Sequence, residues 1–261
     1  LKKIVFTSGL PRSGSTLLST LLNQNPNFSS EITNPVGLAF NGIIRAFNDV
    51  GSNRSLIDNN KMDNILRNVI ENFHDNPGKT VYFNHDRMWT SKCDLLERLY
   101  PNYKMIVTVR DIGWILDSFE LLHRKNLYNI PIYMNNNDSN YHHIYGRCHG
   151  YFDGMIRSSY DSIKDLIYRN INNCLIVEYD MLVSNPEIIM KEIYNHIEEP
   201  YFNHHFDNIN SNDYEKFDLD INMPGIHKIK NKVCLTERKT VIPPDIWEKY
   251  RGLEVWKKIK S

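Results

Sequence analysis

A chain of 261 residues has room for one large α/β domain with a buried core. Its 31 basic and 31 acidic side chains cancel, so no global field selects nucleic acid or a membrane surface, and affinity for anions has to come from local placement. Four cysteines (Cys93, Cys148, Cys174, Cys234) without CxxC spacing argue against a zinc site or dense disulfides and are expected as reduced, mostly buried thiols, and no apolar run reaches the ~18 residues of a membrane span.

Taken in order, Ile4-Val5-Phe6-Thr7-Ser8 predicts a strand and Gly9–Thr16 a glycine-bearing turn. Leu17, Leu18, Leu21 and Leu22 form an apolar stripe at helical spacing, ended by Asn25-Pro26-Asn27. A short helix is expected near Val36–Phe47 and a turn at Gly51-Ser52-Asn53; Met62, Ile65, Leu66, Val69, Ile70 and Phe73 then give a helical face stopped by Asn76-Pro77-Gly78. Thr80–Asn84 reads as a strand running into His85-Asp86, and Cys93–Leu99 as a short helix. Lys104–Val109 is apolar without alternation, as in a parallel strand covered on both faces. It ends at Arg110-Asp111, before a helix from about Ile112 to His123.

Residues 126–150 read as a long loop carrying Asn135–Asn140, and loops of that length in compact domains are functional or mobile. Its Tyr128, Tyr133, Tyr141, His142, His143 and Tyr145 are candidates to line a ligand site or to pack the loop. A helix over Tyr151–Tyr168, a strand at Cys174–Glu178 and a helix introduced by Asn185-Pro186 follow. The tail is polar until Pro243-Pro244 opens a last helical stretch through Trp247, Leu253 and Trp256. Alternating strands and helices predict one domain over residues 1–261, a central parallel sheet with helices on both faces. Such sheets bind ligands beyond the carboxyl ends of their strands, so Ser8–Thr16, His85 and Arg110 are expected on one rim.

Gly9–Thr16 resembles a Walker A loop, a strand-to-helix turn whose amides face an anion. One residue departs from it: Ser15 stands where the lysine belongs, and Arg12 is basic three positions earlier. Losing that lysine while keeping the turn points to an anionic nucleotide end that is not a magnesium triphosphate.

With these motifs together, the chain resembles sulfotransferases that use 3′-phosphoadenosine 5′-phosphosulfate (PAPS), nearest to the tyrosylprotein-type and bacterial or phage branches. The resemblance implies a P-loop-like nucleotide site and a transferase of the EC 2.8.2 type that releases 3′-phosphoadenosine 5′-phosphate (PAP). In that family the P-K/R-S-G-S/T-T turn binds the 5′-phosphosulfate, matched by Pro11, Arg12, Ser13, Gly14, Ser15 and Thr16. A strand-end arginine and a serine eight positions later hold the 3′-phosphate, matched by Arg110 and Ser118. Val177–Val183 matches a segment whose tyrosine, Tyr179, is a nucleotide contact, and Ile242-Pro243-Pro244-Asp245 follows a basic residue that reaches the nucleotide, for which Arg238 is nearest.

Sulfuryl transfer also needs a base. The resemblance implies His85 as the catalytic base, with Glu31 as the rival and Arg12 stabilising charge; Arg87 is a candidate to touch the donor or acceptor, and His227 lies in a polar stretch, Pro224–Lys228, that is a candidate to fold over the nucleotide. No metal is implied. The acceptor is a hydroxyl on a glycan, lipid, phenol or peptide tyrosine. No signal peptide is visible, and the location expected is cytoplasmic, provisional on what precedes Leu1. The competing readings are a P-loop kinase or NTPase with a degenerate Walker A loop, and a nucleotide-binding relative without catalysis.

Overall fold

The computed structural model describes residues 2–49, 51, 55–74, 76–132, 134, 139–169, 172–210 and 213–260. The expected turn residues Ser52 and Asn53, and Tyr133 and Asn135–Asp138, lie outside them. Among the described residues, β1 (Lys3–Gly9), β2 (Phe28–Ser30), β3 (Val81–His85), β4 (Lys104–Val109) and β5 (Cys174–Glu178) form one sheet. Its order is β2-β3-β1-β4-β5, parallel throughout. From β1 the chain runs to β2 at one edge, whereas from the neighbouring β3 it crosses to β4 on the other side, so the switch point where α/β sheets open a crevice lies between the carboxyl ends of β1 and β3.

Both faces of the sheet are buried. Phe6, Met105 and Val107 enter one core, and their neighbours Val5 and Ile106 enter the other, as the two-residue period of a strand requires. The first core is closed by α2 (Val36–Asn48), α3 (Asn59–Phe73), α4 (Cys93–Leu99) and α5 (Ile112–Lys125). The second is closed by α1 (Ser15–Leu22) and, beyond β5, by α8 (Tyr179–Ser184) and α9 (Pro186–His196). Side-chain carboxylates start two of these helices: Asp58 accepts from Lys61 N at 2.8 Å and Asp111 from Trp114 N at 3.0 Å.

The segment expected as one long loop departs from expectation. Ser139–His142 forms a 3₁₀ turn, and α6 (Ile144–Tyr151) starts seven residues before the predicted helix. A π turn over Phe152–Ile156 then joins it to α7 (Arg157–Tyr168). The cap is His143, whose Nδ1 accepts from Gly146 N at 3.0 Å, an N-cap that propensity does not suggest. Arg147 makes the helix worth forming here: its Nε and Nη2 donate to Glu120 of α5 at 2.9 and 3.0 Å, and Tyr151 stacks on Phe119 at 4.4 Å. Three further short elements escape periodicity, namely β2, α8 and α10 (Glu215–Asp220). A last helix, α11 (Pro244–Tyr250), begins at the expected proline. All four cysteines are free; Cys93 and Cys148 are buried, whereas Cys174 is half-buried and Cys234 exposed, because Cys234 sits on the polar tail.

The Glu120 carboxylate is 3 % exposed and depends on Arg147, with Arg124 a second, more exposed partner. Arg147→Met should therefore lower the unfolding free energy by about 3 kcal/mol, since removing one partner strands a buried charge. Urea denaturation reads this directly, and a change under 0.5 kcal/mol would contradict the pairing.

Candidate active site

Strand register alone collects the site. Thr7 lies opposite His85, Gly9 opposite Thr108, and Val109 opposite Glu178, so the turn after β1, His85, Arg110 and Tyr179 leave the sheet along one rim. The turn depends on two glycines. Gly9 has φ +141°, and a Cβ there would stand 2.1 Å from the Thr108 carbonyl; Gly14 has φ +93°, and a Cβ there would stand 2.8 Å from the Tyr179 ring. Arg12 itself takes the left-handed φ of 58°. Ser13 is fully buried: its hydroxyl donates to Leu10 O at 2.5 Å and meets Thr108 Oγ1 at 2.7 Å. That side chain pins the turn to β4, while Gly14, Ser15 and Thr16 open onto a cleft of about 910 Å³.

Four arginines line this cleft, and three of them, Arg12, Arg110 and Arg238, are tied to one another's surroundings. Arg12 Nε donates to Ser118 Oγ at 3.0 Å, and its Nη1 donates to the Ile226 carbonyl. Arg110 Nη1 donates to Arg12 O at 3.2 Å, and its guanidinium lies 4.1 Å from the centre of the Tyr179 ring. Arg238 lies over the Trp114 ring at 5.0 Å and pairs with Asp117. Asp117 is fully buried on α5, and its Oδ1 also accepts from Thr240 Oγ1 at 3.0 Å and Val241 N at 2.7 Å. This carboxylate draws the 238–241 segment onto the helix that carries Ser118. Burial, and next the charge of Arg110, pushes Arg12 down to about 10; burial lowers Arg110 as well. Arg110 Nε is buried without a hydrogen-bond partner among the described residues.

Two imidazoles line the same cleft. His85 Nδ1 lies 3.0 Å from Thr7 Oγ1, and burial, then Arg87 and His227, lowers His85 to about 4. His227 Nδ1 lies 2.5 Å from Asp218 Oδ1 on α10. Burial lowers His227 too, with Asp218 opposing. Arg87 and Thr33 also line the cleft, whereas Glu31 is exposed and outside it; partial desolvation raises its carboxyl.

Among the described residues, the tyrosines and histidines of 128–145 do not line the cleft. Tyr141 donates to Asn129 O at 3.1 Å, Tyr145 donates to Asp245 at 3.1 Å, His143 caps α6, and Tyr128 is fully exposed. Leu121, Leu122, Met155, Phe217 and Ile221 form the cleft wall instead. Asp117, Asp218, Trp114 and the Ile226 carbonyl went unrecognised in the sequence. An aspartate beside the motif serine was a visible signal for Asp117, but nothing local joins Asp218 to His227.

The model of the Sulfotransferase family matches residues 5–203, more than half of the chain, and the chain belongs to that family. Solved structures share the fold at low identity. A sulfotransferase domain from the curacin biosynthetic pathway superposes with a TM-score of 0.55 at 14 % identity, covering 98 % of this chain and 92 % of that one. A sulfotransferase domain from the Synechococcus PCC 7002 olefin synthase superposes at 0.51 with 18 % identity, covering 96 % and 88 %. No curated sequence matches this chain. No helix among the described residues is long and apolar enough to cross a membrane.

Burial holds three histidines, His74, His85 and His204, at about 4. Between pH ~6.5 and 4 the unfolded chain binds protons that the folded chain refuses, so their contribution is full above ~6.5 and is lost as pH falls. The urea midpoint should drop from pH 7.5 to pH 5. His74 Nε2 takes a hydrogen bond from Asn84 Nδ2 at 2.9 Å, so His74→Gln, whose amide oxygen accepts without titrating, should flatten part of the drop. An equal or higher midpoint at pH 5 would contradict this.

Proposed function

We propose that this protein transfers the sulfuryl group of PAPS to a hydroxyl acceptor. The observation that carries the reading is the convergence of Arg12, Arg110 and Arg238 on one cleft with an unpartnered Arg110 Nε among them. Asp117 neutralises one of the three charges, and the surplus fits a donor with anionic groups at both ends of its ribose. When bound, the donor supplies an activated sulfuryl group on its 5′-phosphate.

The residues divide the work by position. Arg12 and the Gly14–Thr16 amides and hydroxyls would hold the phosphosulfate and steady the charge that gathers as transfer proceeds. Arg110, Ser118 and Arg238 would hold the 3′-phosphate, with Tyr179 flanking Arg110. Arg12 already bonds Ser118 and the Ile226 carbonyl, so binding exchanges those partners for an anion. The acceptor's proton passes to an imidazole, since His85 and His227 both line the cleft and Glu31 does not. The acceptor is a glycan, lipid, phenol or peptide tyrosine, and the location is cytoplasmic.

Asp111 speaks against the kinase reading. It lies two residues past β4 and is committed to structure: Oδ1 accepts from Trp114 N at 3.0 Å and Oδ2 from Gly252 N at 3.0 Å. Asp86, one residue past β3, is turned to structure as well, its Oδ1 accepting from Met88 N at 2.9 Å. PAP should therefore raise the melting temperature without Mg²⁺, and ATP with Mg²⁺ should not match it. Arg110→Ala should weaken PAP binding by about tenfold to a hundredfold, the range for a lost charge-assisted hydrogen bond. Stabilisation by ATP that needs Mg²⁺, or unchanged PAP affinity in the variant, would contradict the assignment.

A further inference from the structure

Of the two cleft imidazoles, only one has its proton placed by its partner. His227 Nδ1 meets Asp218 Oδ1 at 2.5 Å, and the His227 backbone N–H donates to Asp218 Oδ2 at 3.2 Å. An ionised carboxylate only accepts, so neutral His227 carries its proton on Nδ1 and keeps a lone pair on Nε2. The partner of His85 is a threonine hydroxyl, which donates or accepts equally well and fixes no tautomer.

The chain goes to some length to make this pair. After α10, Asn222 at φ 57° and Gly225 at φ 81° reverse its direction, and Met223 N donates to Asp218 O at 2.8 Å. His227 thereby returns to an aspartate nine positions earlier. The rings of Tyr214 and Phe217 pack against the imidazole at 5.9 and 5.5 Å. The Asp218 side chain is 4 % exposed and that of His227 is 18 % exposed, so the imidazole is the end of the pair that reaches the cleft. The charged and titratable groups around it are Asp218 on α10, Arg12 in the β1 turn, His85 at the end of β3 and Arg87 just beyond it. An imidazole that gains a proton beside two arginines needs a carboxylate behind it, and His227 has one.

We propose that His227 Nε2, held by Asp218, is the base that takes the acceptor's proton, and that His85 serves as a ring N–H donor towards the transferring group. This rests on the sulfuryl-transfer reading. In the step, the acceptor oxygen forms its bond to sulfur as the bond from sulfur to the donor's bridging oxygen breaks. The electron pair of the broken bond leaves on the 5′-phosphate of PAP, and the acceptor's proton moves to Nε2. Asp218 is a positioning residue that sets the tautomer and supports the imidazolium.

Wild type, His227→Gln, Asp218→Asn and His85→Gln should be compared by three readouts. These are PAP affinity by titration, ¹⁵N NMR of labelled imidazoles with and without PAP, and release of PAP from PAPS with water as acceptor. PAP affinity should agree within threefold throughout. The spectrum should show wild-type His227 protonated on Nδ1 alone, and Asp218→Asn should mix the tautomers. PAP release should fall about a hundredfold or more in His227→Gln and Asp218→Asn, the scale of general-base catalysis, and by less than tenfold in His85→Gln, which keeps an N–H donor. A His227 ring protonated on Nε2, a His227→Gln loss under tenfold, or a His85→Gln loss as large as that of His227→Gln would overturn the proposal. Wild type that fails to bind PAP, or binds it without releasing any from PAPS, would instead overturn the transfer reading itself.

Discussion

Like charges brought together under partial burial repel, and a fold that converges Arg12, Arg110 and Arg238 on one cleft must hold them there by other means. Here each guanidinium has its own tether. Arg12 is held by Ser118 and the Ile226 carbonyl, Arg110 by the Arg12 carbonyl and the Tyr179 ring, and Arg238 by Asp117 and the Trp114 ring. The tethers come from separate parts of the chain: the β1 turn, the start of α8, the middle of α5 and the polar tail. The sheet order places those parts on one rim, so topology and electrostatics meet at the carboxyl end of β1. The charge left over after Asp117 is what an anionic ligand would answer.

Asp117 links fold to site most directly. A fully buried carboxylate needs all the partners it can find, and this one takes Arg238, Thr240 and Val241 from a segment with almost no regular structure of its own. The same helix turn presents Ser118 to Arg12. One buried charge thus fixes the tail over the cleft and sets two of the three arginines at once.

Much of this was legible in the sequence. Val5 and Phe6 alternate between two cores, Lys104–Val109 lacks polar alternation, and the positions after three strands carry Arg12, His85 and Arg110, so the sheet and its rim could be read from period and placement. Family membership agrees with that reading. What was not legible depended on contacts across long separations. The helix at Ile144–Tyr151 exists because Arg147 finds Glu120, and its histidine cap carries no usual start signal. The described tyrosines and histidines of that region therefore do not line the cleft: Tyr141 and Tyr145 bond within the domain, His143 caps a helix and Tyr128 faces solvent. The pairing of His227 with Asp218 needs a chain reversal through two left-handed residues, and local propensity in a polar stretch does not announce one.

The structural neighbours, at 14 % and 18 % identity, speak for the fold alone, so the account of the donor rests on the arginine cluster. The most direct test is the affinity difference between PAP and 5′-AMP, which differ by the 3′-phosphate. If Arg110, Ser118 and Arg238 hold that group, its removal should weaken binding by about a hundredfold or more, since it forfeits charge-assisted hydrogen bonds. Equal affinity for the two nucleotides would contradict the account.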